Sequence, residues 1–334
     1  MASPKLDQYS EDLTSLIFET TQRDVASIYV ICLQESPNEK QELLTRLQAA
    51  IGPRHVLFSY GIHGSLTLAI FVARELIWYT SVPQCMGITT RAAVQTKGAV
   101  AICFILFGTS LLFLCSHFAA HEDCVNSRIH DYRRIVDGLD LPKVGLSKGY
   151  RESGKTSLDR FDAIFWAGDF NFRVKRPRKI VDNLLQSKGN IFEELLAADE
   201  LTEVQSQGRA FAQFCEGRIK FPPTYKFDLN SQTYDSSEKQ RVPSYTDRIL
   251  FTAKRNGDIN CLAYDCVSSI QTSDHRPVYG SFLVSLRPGI DSIALAAGAF
   301  HRDIYIAGNQ RRALRFDVIR ATRETPRTRV CSLQ

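Results

Sequence analysis

The sequence predicts an α/β layered domain. Two observations carry this expectation. Short buried runs alternate with amphipathic helical ones. Three polar blocks also stand at the ends of apolar runs, where strands of a layered sheet expose their tips. The blocks are Phe221-Pro222-Pro223-Thr224-Tyr225-Lys226, then Pro243-Ser244-Tyr245-Thr246-Asp247-Arg248, then Ser273-Asp274-His275-Arg276-Pro277. Ile249-Leu250-Phe251 and Val278-Tyr279-Gly280-Ser281-Phe282 read as buried strands. Asp247, Asp274 and His275 are therefore expected at a sheet rim. Two carboxylates and an imidazole there suit metal-assisted hydrolysis.

With 334 residues the chain holds one large domain or two ordinary ones. A hydrophobic share of 44% and a charged share of 23% exclude a disordered or fibrous class. The net charge of +5 favours acidic partners only weakly. None of the nine cysteines forms a C-x-x-C pair, which argues against a zinc site. Most lie in apolar runs and read as reduced core residues. Met1-Ala2-Ser3-Pro4-Lys5 lacks an apolar signal core, so secretion is not expected.

In chain order, residues 8–24 read as a helix with Leu13, Leu16 and Ile17 on one face. Ile28–Leu33 is a buried strand, and Glu35 just beyond it is a candidate ligand for a hard cation. Glu39–Ile51 is an amphipathic helix stopped by Gly52-Pro53. Val56–Tyr60, Leu66–Val72 and Val94–Gln95 continue the strand pattern. Gly98–Phe118 carries no formal charge unless His117 is protonated and is long enough to span a bilayer. The Gly108-Thr109-Ser110 break favours a hairpin of Val100–Phe107 and Leu111–His117 instead.

His117 and His121 stand four residues apart at that strand's end, and read either as structural histidines or as groups that meet a phosphate oxygen or transfer a proton. Asn126–Leu139 reads as a helix offering Arg128, Arg133 and Arg134 to solvent or phosphate. Leu141–Arg160 is a polar loop. Phe161–Trp166 is a strand that delivers Asp169 and Asn171 to one side, because alternate residues share a face. An aspartate there can orient water, and an asparagine amide can donate to a developing oxyanion. Alone, the same pair reads as a simple turn. Arg173, Lys175, Arg176, Arg178 and Lys179 form a basic run, either a solvated loop or a membrane-facing lip. Ile180–Phe211 is mostly helical in pattern.

Taken together, these blocks resemble the inositol polyphosphate 5-phosphatases. The resemblance rests on Gly168-Asp169-Phe170-Asn171-Phe172-Arg173, Pro223-Thr224-Tyr225-Lys226-Phe227-Asp228, Pro243–Leu250 and Ser273–Pro277. The last block is shared with a wider superfamily of endonucleases, exonucleases and phosphatases. The resemblance implies that superfamily's four-layer α/β sandwich over residues 1–286. That family's domain opens with a strand ending in Trp-Asn. The only tryptophans here are Trp78 and Trp166, so a sandwich lacking its first strand is expected.

By the same resemblance, Glu35 binds Mg²⁺ and Asp274 lies beside the metal. His117 touches the scissile phosphate, Asp169 positions the attacking water, Asn171 supports the phosphorus, and Asp247 orients His275. Tyr225, Lys226 and Arg248, with His121 nearby, hold the neighbouring phosphate. The implied activity is removal of the 5-phosphate from phosphatidylinositol 4,5-bisphosphate and 3,4,5-trisphosphate by a monomer that does not act on nucleic acid. The alternatives are an impaired, membrane-bound phosphoinositide-binding module and a nuclease of the same superfamily.

Residues 287–334 read as a basic tail. Seven arginines from Arg311 to Arg329 precede Cys331-Ser332-Leu333-Gln334, which fits C-a-a-X with a terminal Gln that favours farnesyl. One prenyl chain binds membranes reversibly, and a basic segment supplies a second signal. This tail resembles the prenylated branch of the family. The implied setting is the cytoplasmic face of the primary cilium or Golgi, with a farnesyl-binding chaperone and ciliary targeting factors as partners. Phe300-His301-Arg302-Asp303-Ile304-Tyr305-Ile306 resembles that branch's targeting region.

Overall fold

The computed structural model describes residues 26–90, 97–142, 156–187, 191–286 and 294–324, with side chains to 315 in the last stretch. The expected helix at 8–24, the strand at Val94–Gln95 and Cys331 lie outside the described residues.

β1 (Ile28–Leu33), β2 (His55–His63) and β3 (Leu66–Ala73) form an antiparallel sheet in the order β1-β3-β2. A second sheet runs β4-β5-β6-β7-β9-β8. Its strands are β4 (Gln84–Thr89), β5 (Gly98–Leu106), β6 (Thr109–His117), β7 (Ala163–Asp169), β8 (Cys215–Glu216) and β9 (Asp247–Ala253). Among the described strands, only β6 and β7 pair in parallel. The long apolar run is thus the expected hairpin, β5 with β6, turning at Phe107-Gly108. Among the described residues no helix is long and apolar enough to cross a membrane.

The two sheets pack face to face. Val56, Leu68 and Ile70 meet Val100, Ile102, Phe113 and Cys115 between them. Helices cover both outer faces. α1 (Lys40–Ile51) buries Leu43, Leu44 and Leu47 against Leu57, Ala69 and Phe71. α2 (Val125–Gly138) buries Ile129, Tyr132 and Ile135 against Leu112, Leu114 and Trp166. The result is the expected four-layer sandwich. Between β7 and β9 the described residues form three short helices, in keeping with the mostly helical pattern: α3 (Arg178–Gln186), α4 (Ile191–Leu196) and α5 (Glu200–Ser206).

The first layer of strands is split. β10 (Ile259–Cys266) and β11 (Val278–Val284) form a separate antiparallel pair. β1 lies against β6 and β7, and β11 against β9, so the two edges face successive strands of the second sheet. No described strand joins them. Ile28, Val30 and Cys32 on one edge and Phe282 and Val284 on the other are only half-buried as a consequence.

The last helix, α6 (Arg302–Glu324), does not form a separate tail. It docks on α1, where Gly308 leaves no space for a Cβ against Gln48 and the Thr45 carbonyl. Ile304 is buried in the α1 cluster, and the Tyr305 hydroxyl donates to the Pro53 carbonyl at 3.1 Å. The segment that resembles a targeting region is therefore engaged in packing. Arg311 makes two bonds to Glu42 at 2.6 and 3.0 Å, and Arg312 donates to the carbonyls of Ala49 and Ala50. These two arginines of the basic tail are therefore bound to the domain. Cysteine burial also differs from expectation. Cys103 and Cys115 are buried, whereas Cys85 and Cys215 are exposed.

Candidate active site

Strand register builds the site. His117 ends β6, Asp169 ends β7 and Asp247 begins β9. The ladder pairs His117 with Asp169 and Asp169 with Asp247. Three polar tips therefore stand side by side, because paired residues in neighbouring strands share a face. The main chain can make this approach only with glycine at 168. A Cβ there would lie 2.0 Å from the Ser116 carbonyl oxygen. Asn171 takes a left-handed φ of 57°, a conformation asparagine tolerates better than most residues.

The bonds are dense. His117 Nε2 lies 3.1 Å from Asp169 Oδ2. Asn171 donates its main-chain N–H to Asp169 Oδ1 at 3.0 Å and its Nδ2 to Asp169 Oδ2 at 2.9 Å. Asp247 Oδ2 accepts from Thr224 Oγ1 at 2.7 Å and Thr246 Oγ1 at 2.9 Å, and lies 2.9 Å from His275 Nδ1. Tyr225 bridges in β fashion to both Ser244 and His275. Its ring is 4.7 Å from the His275 ring on one side and 4.4 Å from the Arg173 guanidinium on the other.

Electrostatics follow from these neighbours. Burial would lower the His275 pKa, but Asp247, Asp169 and Asp274 outweigh it and push it up to about 9. Burial would raise the Asp169 pKa, yet His117, His275 and Lys97 hold its carboxyl well below the usual range. At neutral pH the site therefore pairs an imidazolium with an ionised carboxylate.

The described residues contain one group able to gather around a metal: Asp169, Asp247 and His275, with ligand atoms within 4.8 Å of one another. Most of the capacity of both carboxylates is already taken by the donors above. Neither acid expected to serve a metal belongs to this group. Asp274 faces Lys226 at 3.9 Å. Glu35 is exposed at the end of β1, close enough to act on the charge of Lys97. The two carboxylates are hard oxygen donors of the kind an oxygen-seeking cation takes, whereas His275 as an imidazolium offers it no lone pair.

Several expectations need correction. Arg248 does not reach the substrate side. It is 2% exposed and closes a buried ion triad, with two bonds to Glu216 at 2.7 and 2.6 Å and one to Asp199 at 2.9 Å. Arg128 is likewise buried, paired with Glu200 and donating to the carbonyls of Ala119, His121 and Glu122. The His121 side chain is exposed, and this residue contributes its carbonyl. Arg173 is buried rather than part of a lip, and Arg178 is tied to Asp182 and three carbonyls.

The structure also adds residues that the motifs did not suggest. Lys97 meets His117 Nε2, and burial lowers its pKa against the pull of Asp169, Glu35 and Asp131. Its signal was the hairpin. Counting back from the Gly108 turn pairs Gly98 with His117, which sets Lys97 beside the histidine. Thr224 and Thr246 had no signal beyond their place in the motifs.

A family model described as Endonuclease/Exonuclease/phosphatase family 2 matches residues 5–281. The chain belongs to this family. It is 46% identical over 290 residues to the human phosphatidylinositol polyphosphate 5-phosphatase type IV, covering 85% of this chain and 45% of that protein. It thus spans about half the length of such relatives. It is 40% identical to a Caenorhabditis elegans synaptojanin over 58% of this chain and 16% of that protein. Among solved structures it resembles the inositol polyphosphate 5-phosphatase domain of SPsynaptojanin, solved with inositol (1,4)-bisphosphate and calcium. That likeness has a TM-score of 0.68 and 28% identity, over 93% of this chain and 88% of that one. A Cimex nitrophorin ferrous NO complex has the same fold at a TM-score of 0.65 and 20% identity, over 85% of this chain and 94% of that one. The fold alone therefore does not decide the chemistry, and the strand tips carry the family's functional argument.

Proposed function

We propose that the chain hydrolyses the 5-phosphate of phosphatidylinositol 4,5-bisphosphate and phosphatidylinositol 3,4,5-trisphosphate. The observation that carries this reading is the register of His117, Asp169 and Asp247 across three adjacent strand tips, with Tyr225 and Lys226 alongside. Asp169, held ionised, orients water toward phosphorus. The Asn171 amide donates to charge building on the phosphate. His275, held as an imidazolium by Asp247, offers a proton to developing negative charge. His117 and Lys97 face the phosphate, and Lys226 supplies a cation for the 4-phosphate. The family resemblance implies Mg²⁺, which Glu35 would hold with Asp274 beside it, although neither acid lies in the Asp169, Asp247 and His275 group. When bound, the ion neutralises charge on the transferred group.

The tail supports a membrane setting through a prenyl group on Cys331, at the cilium or Golgi, with a farnesyl-binding chaperone and targeting factors as partners. The test is phosphate release from each lipid with Mg²⁺ and with chelator. Magnesium-dependent release of the 5-phosphate supports the reading. Binding without release would favour an impaired phosphoinositide-binding module, for which the split between β1 and β11 is the structural argument. Cleavage of abasic DNA instead would favour a nuclease.

A further inference from the structure

We infer that Arg173 is a positioning residue that fixes the side-chain amide of Asn171, so that its NH₂ end faces Asp169. The inference rests on the reading above for its catalytic consequence, but not for its geometry. An asparagine amide has two ends of nearly the same shape, one donating and one accepting, and its neighbours decide which way it points. Here Nδ2 meets two acceptors, Asp169 Oδ2 at 2.9 Å and the Phe118 carbonyl at 3.2 Å. Oδ1 meets a donor, the Arg173 terminal nitrogen, at 2.5 Å. A flipped amide would set oxygen against a carboxylate and a carbonyl, and NH₂ against a guanidinium.

One guanidinium grips the same residue twice. Besides Oδ1, Arg173 Nε donates to the Asn171 main-chain carbonyl at 3.0 Å. That grip holds the left-handed backbone and the side chain together. The guanidinium lies against Tyr225, which in turn packs on His275. The Arg173 main chain is fixed from behind, donating to Glu200 Oε2 at 3.0 Å and accepting from the Glu200 N–H at 2.9 Å. Among the described residues no carboxylate pairs with the Arg173 guanidinium, although the residue is 6% exposed. Its buried donors are directed at Asn171 and its flat face at Tyr225. A lysine offers a point charge and cannot make the same two-pronged grip.

The experiment compares Arg173→Met, Arg173→Lys, Asn171→Ala and the double variant Arg173→Met/Asn171→Ala. Phosphate release is measured from soluble inositol phosphates that carry or lack a phosphate next to the 5-position. Both Arg173 variants are expected to lower kcat by about 10-fold or more, with KM within about 2-fold. Adding Arg173→Met to Asn171→Ala should cost nothing further, because the arginine acts through the amide. Losses that multiply in the double variant, or a KM that rises only for the substrate with the adjacent phosphate, would overturn the inference in favour of direct phosphate binding.

A second measurement does not need turnover. The ¹⁵N side-chain NH₂ signals of Asn171, assigned by their loss in Asn171→Ala, should exchange slowly in the native chain and quickly in both Arg173 variants. Unchanged signals would overturn the inference. If the native chain released no phosphate from any substrate, the proposed function would fail while this measurement still decided the positioning role. Should Arg173→Met fail to fold, Arg173→Lys keeps the buried charge and carries both tests.

Discussion

Asp247 and Arg248 are consecutive residues of β9, and they show how differently one strand can use two charges. Asp247 turns toward the site and accepts from two threonine hydroxyls beside the imidazolium of His275. Arg248 turns the other way, into a closed triad with Glu216 and Asp199. Burial would lower its pKa, but the two carboxylates overcome this and leave it raised. Tyr264 closes the triad by donating to Glu216 at 2.8 Å. One side of β9 keeps charge beside open space, where it can act on a ligand. The other side cancels charge and holds Asp199, which caps α5. Adjacent motif residues are therefore not a single functional unit, and the strand's alternation divides them.

The largest expected effect lies on the open side. Asp169→Ala and His275→Ala should each reduce phosphate release by about 10²–10⁴-fold, the usual cost of removing a positioned acid or base. Circular dichroism should show that both variants keep the native fold. Turnover near the native rate in either variant would remove the site assignment.

On the closed side the order of effects reverses. Arg248→Met leaves Glu216 and Asp199 buried without their cation, which typically costs about 3–5 kcal/mol of stability. The urea midpoint should fall sharply, while the folded fraction keeps its KM for the 4-phosphate-bearing lipid. Lys226→Ala should do the opposite. It should leave the midpoint in place and weaken turnover of phosphatidylinositol 4,5-bisphosphate far more than of phosphatidylinositol 3,5-bisphosphate. An Arg248→Met chain with native stability and a raised KM would restore Arg248 to the substrate side.

The same contrast explains what the sequence made legible. Apolar runs bounded by turns located the strands, and polar residues at their ends located His117, Asp169, Asp247 and His275. Facing direction at a strand end was not legible in the motif. The family resemblance places Arg248 on the phosphate, whereas its partners Glu216 and Asp199 lie 32 and 49 residues away in sequence. Arg128 did have a signal. It shares a helical face with Asp131, Tyr132 and Ile135, all of them buried. The docking of α6 was hidden because an arginine-rich helix reads as solvated until Gly308 meets Gln48.

A smaller effect should appear in the pH dependence of stability. His275 has a folded pKa of about 9 against an ordinary value of 6.5. A raised pKa means that the folded state binds the proton more tightly. Its stabilising contribution is complete below pH 6.5 and fades as pH rises from 6.5 through 9. In metal-free buffer the urea midpoint should decline over that window in the native chain. His275→Gln should flatten this part of the curve. A native profile that stays level from pH 6.5 to 9 would show that Asp247 does not hold the imidazolium.

The smallest effect is expected at Arg311, which offers a direct contrast with Arg248. Both arginines bind a glutamate with two bonds, at 2.6 and 3.0 Å for Arg311 to Glu42 and at 2.7 and 2.6 Å for Arg248 to Glu216. The Arg311 side chain is 46% exposed and that of Glu42 32%, against 1% for Arg248. Water and salt screen the exposed pair, and ordering two long side chains offsets part of its attraction. Arg311→Gln should therefore cost less than about 1 kcal/mol, and the cost should shrink further in high salt. Glu42 also accepts from Arg46 at 2.6 Å, so its charge keeps a partner after the substitution. If Arg311→Gln lowered the urea midpoint as much as Arg248→Met, two-bond geometry rather than burial would set the strength of these pairs. The contrast between the two sides of β9 would then lose its physical basis.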